Sequence, residues 1–340
     1  MGSAPLLPAR MPTLELSRVQ PARCLTKWFD RQPMRKVIVR VPASTSNLGP
    51  GFDCLGVALR IYNDVTIVHG EKSQLPYIVR EAADLFFKQA RRRAFLFSCS
   101  ISHKIPLSRG LGGSATIRLG VLHALNRLAG ASLDRFSIFQ LCAQLEGHPD
   151  NAAPASFGGF TVAQGGAGIS LASGKRDARP TLQRFEVSPR LYFVLLIPEF
   201  EIRTSAARKI LPVRISRVAA VESCANACAI TAAFASRDYE KLRGAFADQL
   251  HQPFRAKLIP FLPRVIAAAE KAGALGVFLS GSGSAICAVT LRNPRKIAAA
   301  MQRAAKSTSA RTIITIADNS GVQIRKPQST IRNRRNVPLD

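Results

Sequence analysis

The 340-residue chain reads as an α+β protein in two domains. Three observations predict this. Strand-like apolar runs alternate irregularly with helical periodicities over 34–316, a stretch of low apolar content over 172–180 divides the chain near its middle, and a 47% hydrophobic content can build real cores. The alternation lacks the regular βαβ repeat of a parallel α/β sheet. The expected organisation is an extension over 1–33, a first domain over 34–180, a second over 181–320 and a basic tail over 321–340.

Residues 1–33 hold prolines and arginines with little apolar period. They read as a disordered arm, as a start misassigned upstream of Met34-Arg35-Lys36, or as an acid-poor mimic of an organelle transit segment. Strands follow at 37–41 and 55–68, joined by a turn thick with Ser, Asn, Gly and Pro. A helix at 77–90 and a strand at 94–101 come next. Apolar residues at helical spacing (Ile117, Val121, Leu122, Leu125, Leu128) place a helix over 114–129, and Ser132 with Asp134 marks the cap region of another over 134–146. Past a Gly-Gly entry lies a strand at 158–164. The second half continues with a strand at 191–197, helices at 204–210, 216–235, 239–247 and 261–272, strands at 275–280 and 284–290, a helix at 295–306 and a strand at 311–316. Cys224 and Cys228, four apart in a helical pattern, read as small core-facing residues. From Gln323 onward the chain is polar, basic and read as a loose tail.

No continuous apolar run reaches the roughly 18 residues that cross a bilayer, and the opening segment lacks a secretory apolar block. No membrane partner is expected. Seven scattered cysteines without zinc-type spacing suit reduced thiols and a cytoplasmic place. The net charge of +27 invites nucleic acid, but the basic residues are dispersed with few aromatics among them, so nucleic acid is not the expected partner. A diffuse positive field also attracts polyphosphates.

Four segments carry the chemistry. Ile105 through Ala115 form a glycine-rich bend feeding a helix, where free backbone N–H groups and the positive helix end suit an anion. The bend matches neither GxxxxGK[ST] nor GxGxxG, and mere chain geometry is its alternative reading. In the turn after the first strand, Asn47 and Asp53 either hydrogen-bond their own backbone or serve a ligand. Glu146, the last helical carboxylate before Gly147-His148-Pro149-Asp150-Asn151, sits where the helix dipole disfavours an anion. A bound cation would relieve that conflict. Ser114 and Glu146 offer the oxygen donors magnesium takes, against the alternative of a capping Ser and a solvated Glu. The alternating Gly and Ser of 280–284 read as a tight turn or as a backbone wall near the glycine bend. Thr204 and Arg208 share a helical face, and Arg255 lies on a Pro-interrupted stretch; two converging arginines can clamp a carboxylate.

Together, PASTSNLGPGFDCLGVAL, IPLSRGLGGSA, EGHPDNAAPASFGGF and FLSGSGS, in this order over 34–316, resemble the GHMP small-molecule kinases and, within them, the homoserine kinase family. The resemblance implies an N-terminal ribosomal protein S5 domain 2-like domain, a ferredoxin-like C-terminal domain and a site in the groove between them. It implies transfer of the ATP γ-phosphoryl group to the side-chain hydroxyl of L-homoserine, making O-phospho-L-homoserine for threonine synthesis. Pro106, Leu107, Ser108, Arg109, Gly110, Leu111, Gly112, Gly113, Ser114, Ala115 and Thr116 would wrap the ATP phosphates, and Ser114 with Glu146 would hold Mg²⁺. Asn47, Asp53, His148, Asn151, Arg208 and Arg255 match positions lining the homoserine site, the arginines facing its carboxylate and Asp53 its ammonium group. Thr204 matches a position close to the transferring phosphoryl, and no residue stands out as general base. The chain departs from the family pattern at Gly113, where a second serine is usual, and at Tyr77, where many relatives place an adenine-contacting Asn. The competing readings are another GHMP kinase acting on a different alcohol, and a non-catalytic basic binding protein on the same frame. A homodimer is compatible with the resemblance.

Overall fold

The structure, a computed structural model, describes residues 35–71, 73–164, 181–306 and 309–325. The 1–33 extension, the 172–180 linker and 326–340 of the tail lie outside the described residues.

β1 (Lys36–Ser46) and β2 (Leu55–His69) form a long antiparallel pair whose register shifts between Pro42 and Ala43. Pro42 has no N–H to give the ladder, so the irregularity falls where the chain can tolerate it. Beyond β2 come α1 (Tyr77–Ala90), β3 (Phe97–Ser102), α2 (Gly113–Leu128), α3 (Arg135–Glu146), α4 (Ala152–Phe157), β4 (Phe160–Ala163) and β5 (Leu182–Phe185). The length of β2 lets it serve two neighbours: its end, 64–69, pairs with β3, while 55–57 pairs with β4. Val37, Val39, Val65 and Ile67 alternate toward one face, where α1, α2 and α3 cover them with Phe86, Leu119, Leu122 and Phe139.

The second sheet is built from β6 (Tyr192–Ile197), β7 (Gly276–Leu279), β8 (Ile286–Thr290) and β9 (Arg311–Ile316), in the antiparallel order β7-β8-β6-β9. Between β6 and β7 run α5 (Thr204–Lys209), α6 (Arg217–Ser236), α7 (Gln252–Arg255) and α8 (Leu262–Lys271); α9 (Pro294–Ala305) joins β8 to β9. This strand order with its helical crossovers is the ferredoxin-like arrangement. On one face Val194, Leu196 and Val277 meet Val265, Ile297 and Met301 of α8 and α9. The alternate residues Phe193 and Leu195 turn the other way, into a core shared with Leu55, Val57 and Leu59 of β2. There Phe160 of the first sheet stacks on Phe234 of α6, ring centroids 4.2 Å apart and planes 9° from parallel.

Two short strands modify the expected boundaries. β5 lies beyond position 180 yet pairs with β4, and β10 (Gln323–Arg325), expected as loose tail, pairs with β1. Both therefore join the first sheet, whose order is β10-β1-β2-β4-β5 with β3 beside β2. Runs of four and three residues are too short to show a period of two, which is why the pattern missed them. Over 239–247 the expected helix is only a 3-10 turn at Tyr239–Leu242, because Gly244 adopts φ 78° and ends it. α7 was hidden by Pro253, which a helix accepts in its first turn.

Cys224 and Cys228 do share a helical face, but it is the outer one: both are exposed, while Ser223, Ile230, Ala233 and Phe234 seat α6 on the core. Periodicity tells that two residues lie together, not which side of the helix is buried. Among the described helices, α6 is the one long and apolar enough to span a membrane. Buried Cys142 and Cys287 contrast with these two, burial pushing both thiols up. Brief iodoacetamide treatment of the native protein should label Cys224 and Cys228 and spare Cys142 and Cys287 until denaturant is added, as read by peptide mass spectrometry.

Candidate active site

The loops at one edge of both sheets enclose a cleft of about 330 Å³. Its walls come from the turn after β1, the glycine bend before α2, the end of α3 with the 147–151 loop, α5, α7 and the β7–β8 loop. Asn47, Asp53, Ser114, Glu146, His148, Asn151, Thr204, Arg208 and Arg255, separated by up to two hundred residues in sequence, all line it.

The glycine bend is shaped by close approach. Gly110 adopts φ 70° and an added Cβ would lie 1.9 Å from the Ser280 carbonyl oxygen; at Gly112, φ 66°, it would lie 2.1 Å from Ser44 Oγ. Gly112 is also the N-cap of α2 and supplies no side-chain cap, so the first amides of the helix keep their hydrogen-bonding capacity at the cleft. Ser108, Leu107, Leu111 and Gly113 line the cleft as expected. Arg109, Ala115 and Thr116 turn their side chains elsewhere. Arg109 donates to the Pro198 carbonyl at 3.0 Å and pairs with Glu201, Ala115 is in the core, and Thr116 donates to the Gly113 carbonyl at 2.7 Å. Pro106 is not among the cleft-lining residues.

Ser114 Oγ donates to Glu146 Oε2 at 2.8 Å, across thirty-odd residues of sequence. The other carboxylate oxygen, Oε1, accepts from Arg118 at 2.5 Å. A guanidinium of the chain itself thus sits beside Glu146 at the negative end of α3. Sequence reading missed Arg118, although its place one helical turn beyond Ser114 was a signal.

At the other end of the cleft Arg208 grips Asp53 through two parallel bonds, Nη1 to Oδ2 at 3.0 Å and Nη2 to Oδ1 at 2.7 Å. Asp53 sits at φ 59°, a left-handed conformation that Asp tolerates better than most residues, and its amide donates to Asn47 Oδ1 at 3.0 Å. Asn47 also reaches the β7–β8 loop, its Nδ2 donating to the Gly281 carbonyl at 2.9 Å. The turn bonding expected of these residues is thus present, and both also line the cleft. Phe52 lies beneath both arginines, Arg208 and Arg255 at 5.4 and 5.3 Å from its ring centroid.

Arg255 is only 2% exposed. Its Nε donates to the Ala207 carbonyl at 3.1 Å, and Nη1 donates to the Gly281 carbonyl and to His251 Nδ1. Burial, aided by nearby Arg208, lowers its pKa to about 10. His251 accepts that proton-bearing nitrogen and donates from Nε2 to the Gly49 carbonyl at 2.8 Å, the pattern of a neutral imidazole. Burial accordingly pulls it down to about 4.

His148 and Asp150 form a tight pair through Nδ1 and Oδ1. Asp150, a second residue missed in the sequence although only two positions from His148, is 2% exposed and also meets Asn151. Asn151 is fixed on both sides, accepting from Ser44 Oγ at 2.8 Å and donating to Ser46 Oγ at 3.0 Å. Burial alone would push the Asp150 carboxyl up and His148 down; their mutual attraction and hydrogen bond outweigh it, so Asp150 is held below the usual range and His148 above it. Thr204 Oγ1 stands 3.3 Å from Ser282 Oγ at the mouth.

GHMP-kinase family models match this chain over 77–159 (N-terminal domain) and 230–307 (C-terminal). Homoserine kinase of Caldicellulosiruptor bescii is 35% identical over 88% of this chain and all of that protein. The chain belongs to the homoserine kinase family of GHMP kinases. A second member, from Moorella thermoacetica, is also 35% identical, over 78% of this chain and 92% of that protein. The crystal structure of homoserine kinase from Cytophaga hutchinsonii superposes with a TM-score of 0.75 at 25% identity, covering 86% of this chain and 98% of that one. Phosphomevalonate kinase of Streptococcus pneumoniae shares the fold, with a TM-score of 0.63 at 14% identity. The fold is thus the GHMP kinase fold, and kinases of this family use ATP.

The His148–Asp150 pair gives a signed expectation. The raised imidazole stabilises the fold fully below its unfolded value of 6.5 and loses this as pH rises through its folded value; the depressed carboxyl contributes above 3.8 and fails as pH falls through its own. The pair is therefore most stabilising between 3.8 and 6.5. Asp150→Asn leaves burial and Arg208 opposed only by the weaker pull of Asp53 and should move the His148 titration below 6.5, followed by imidazole NMR.

Proposed function

We propose that this chain transfers the γ-phosphoryl group of ATP to the side-chain hydroxyl of L-homoserine, yielding O-phospho-L-homoserine for threonine biosynthesis. The observation that carries the reading is a single cleft holding an uncapped helix start, an oxygen pair at Ser114 and Glu146, and an arginine–aspartate pair. The 106–116 bend would hold the ATP phosphates through its backbone, leaving Arg109, Ala115 and Thr116 as supports of its shape. The hydroxyl and carboxylate oxygens of Ser114 and Glu146 fit Mg²⁺, an oxygen-seeking ion. Bound there, it would neutralise phosphate charge.

The Asp53–Arg208 pair suits an amino acid. A zwitterion carries an ammonium and a carboxylate on adjacent atoms; entering the pair, it would offer its ammonium to Asp53 and its carboxylate to Arg208, replacing one set of charge-assisted bonds by two. Arg255, with Nε and Nη1 held by the protein, adds fixed positive charge and backs Arg208 across Phe52. Asn47 and Asn151 are pinned by their neighbours, and His148 is held by Asp150, which raises its pKa from the ordinary imidazole value. The arrangement therefore supports transfer by alignment and charge neutralisation, with Thr204 near the reacting phosphoryl and no general base, which a loose phosphoryl transition state allows.

The six described cysteines are unpaired, in keeping with a cytoplasmic enzyme. Another GHMP kinase activity is the competing reading; neutral sugars offer neither charge that could replace the Asp53–Arg208 pair, whereas mevalonate and shikimate still offer a carboxylate. A coupled assay presenting ATP with homoserine, mevalonate, shikimate and galactose should show turnover with homoserine alone. Glu146→Gln should lower kcat on the order of a hundredfold, whereas Arg208→Ala should raise KM for homoserine by about 10- to 100-fold, the worth of a charged hydrogen-bond pair.

A further inference from the structure

Arg118 lies on α2 one turn beyond Ser114 and is mostly buried, its side chain 14% exposed. Its two terminal nitrogens serve different carboxylates. Nη1 donates to Glu146 Oε1 at 2.5 Å and Nη2 to Glu81 Oε2 of α1 at 2.7 Å. The three side chains form a chain of alternating charge that ties α1, α2 and the end of α3 together. Burial opposes the guanidinium charge, but the two carboxylates outweigh it and keep Arg118 firmly cationic.

The consequence falls on Glu146. Its side chain is 7% exposed, with Oε1 committed to Arg118 and Oε2 facing Ser114 Oγ. The other arm of the rigid guanidinium fork is held by Glu81, so the single bond from Nη1 fixes the position of Oε1. Oε2, whose partner is the Ser114 hydroxyl, is the oxygen left for a cation. We infer that Arg118 is a positioning residue that presents Glu146 to the nucleotide-bound metal through a single oxygen and thereby selects Mg²⁺ over Ca²⁺. The inference rests on the reading of Ser114 and Glu146 as the metal-binding pair.

The physical ground is the contrast between the two ions. Mg²⁺ demands an octahedron and takes carboxylates one oxygen at a time, whereas Ca²⁺ accepts six to eight ligands and readily takes both oxygens of one carboxylate. Withholding Oε1 costs Ca²⁺ a ligand and costs Mg²⁺ none. Glu81 completes the device, because an arginine balanced by a second acid repels the incoming cation less than one paired with Glu146 alone.

The test measures binding directly. Mn²⁺, whose paramagnetism reports through water-proton relaxation, is bound to the enzyme with a non-hydrolysable β,γ-imido ATP analogue and then displaced by Ca²⁺ or by Mg²⁺. In Arg118→Leu the concentration of Ca²⁺ needed for displacement, relative to Mg²⁺, should fall about tenfold, the size expected when an outer partner of a metal ligand is removed. A ratio within twofold of the parent protein would reduce Arg118 to a structural tie and overturn the proposal. Glu146→Gln is the control: if it leaves Mn²⁺ binding unchanged, the metal reading itself fails, a separate outcome from the first. Should Arg118→Leu fail to fold because Glu81 and Glu146 then face each other unpaired, the double variant Glu81→Gln with Arg118→Leu removes that repulsion and carries the same measurement.

Discussion

The cleft depends on one close approach, that of the glycine bend to the β7–β8 loop. Gly110 and Ser280 are so near that no side chain fits between them, and Ser280 Oγ donates to the Gly110 carbonyl at 2.6 Å while accepting from Thr45 Oγ1 at 2.8 Å. The Ala285 amide donates to the Arg109 carbonyl at 3.1 Å, and the Gly281 amide to the Ser46 carbonyl at 3.1 Å. These bonds join the first sheet to the second at the bottom of the cleft. Without them, a phosphate held by the bend and an amino acid held at Arg208 would have no fixed separation. In-line transfer tolerates little misplacement of the reacting atoms.

Charge in the cleft is held almost entirely in pairs. Arg208 with Asp53, His148 with Asp150, and Arg118 with Glu146 and Glu81 each set an acid against a base. Buried charges without partners would be costly, and pairing offsets that cost. Pairing also stores recognition, since a ligand bearing both signs replaces internal partners with better-placed ones. Arg255 is the exception in kind: carbonyls and a neutral histidine, not an acid, hold its guanidinium, so its charge is left to act on the cleft. The net +27 of the chain acts at longer range, drawing polyphosphate toward the surface but screened over about 10 Å.

Much of this was legible in the sequence, for identifiable reasons. α1 appears over the expected residues because its apolar face, Val79, Ala82, Ala83, Phe86 and Phe87, repeats over about two and a half turns. The bend, the Glu146 break and the Gly-Ser turn announced themselves through residue types that regular elements avoid. The pairings within the cleft were not legible. That Asp53 meets Arg208 depends on how two sheets share one core, and no local pattern encodes a contact across 155 residues. The exposed side of α6 and the return of β10 to the first sheet were hidden likewise, because one needs tertiary packing to decide a face and the other is three residues long.

The departure at Gly113 becomes intelligible beside these contacts. Where the family pattern has two serines, this chain keeps the one at 114, the hydroxyl that bonds Glu146, and lacks the one at 113. A Cβ at 113 would press only on the flexible tip of Leu107, at 3.1 Å, the Pro106 carbonyl oxygen at 3.5 Å and Leu107 Cα at 3.7 Å lying at ordinary contact, so packing does not forbid a side chain there. The hydroxyl that is absent is thus one the carboxylate network does not use. Arg118 points the same way: placed one turn along the same helix, it holds the oxygen of Glu146 that Ser114 does not, and a single face of α2 supplies both contacts that orient the acid. Orientation of Glu146 is set by the helix carrying Ser114 and Arg118, and that coupling lets the bend lose one hydroxyl while the geometry around the acid is retained.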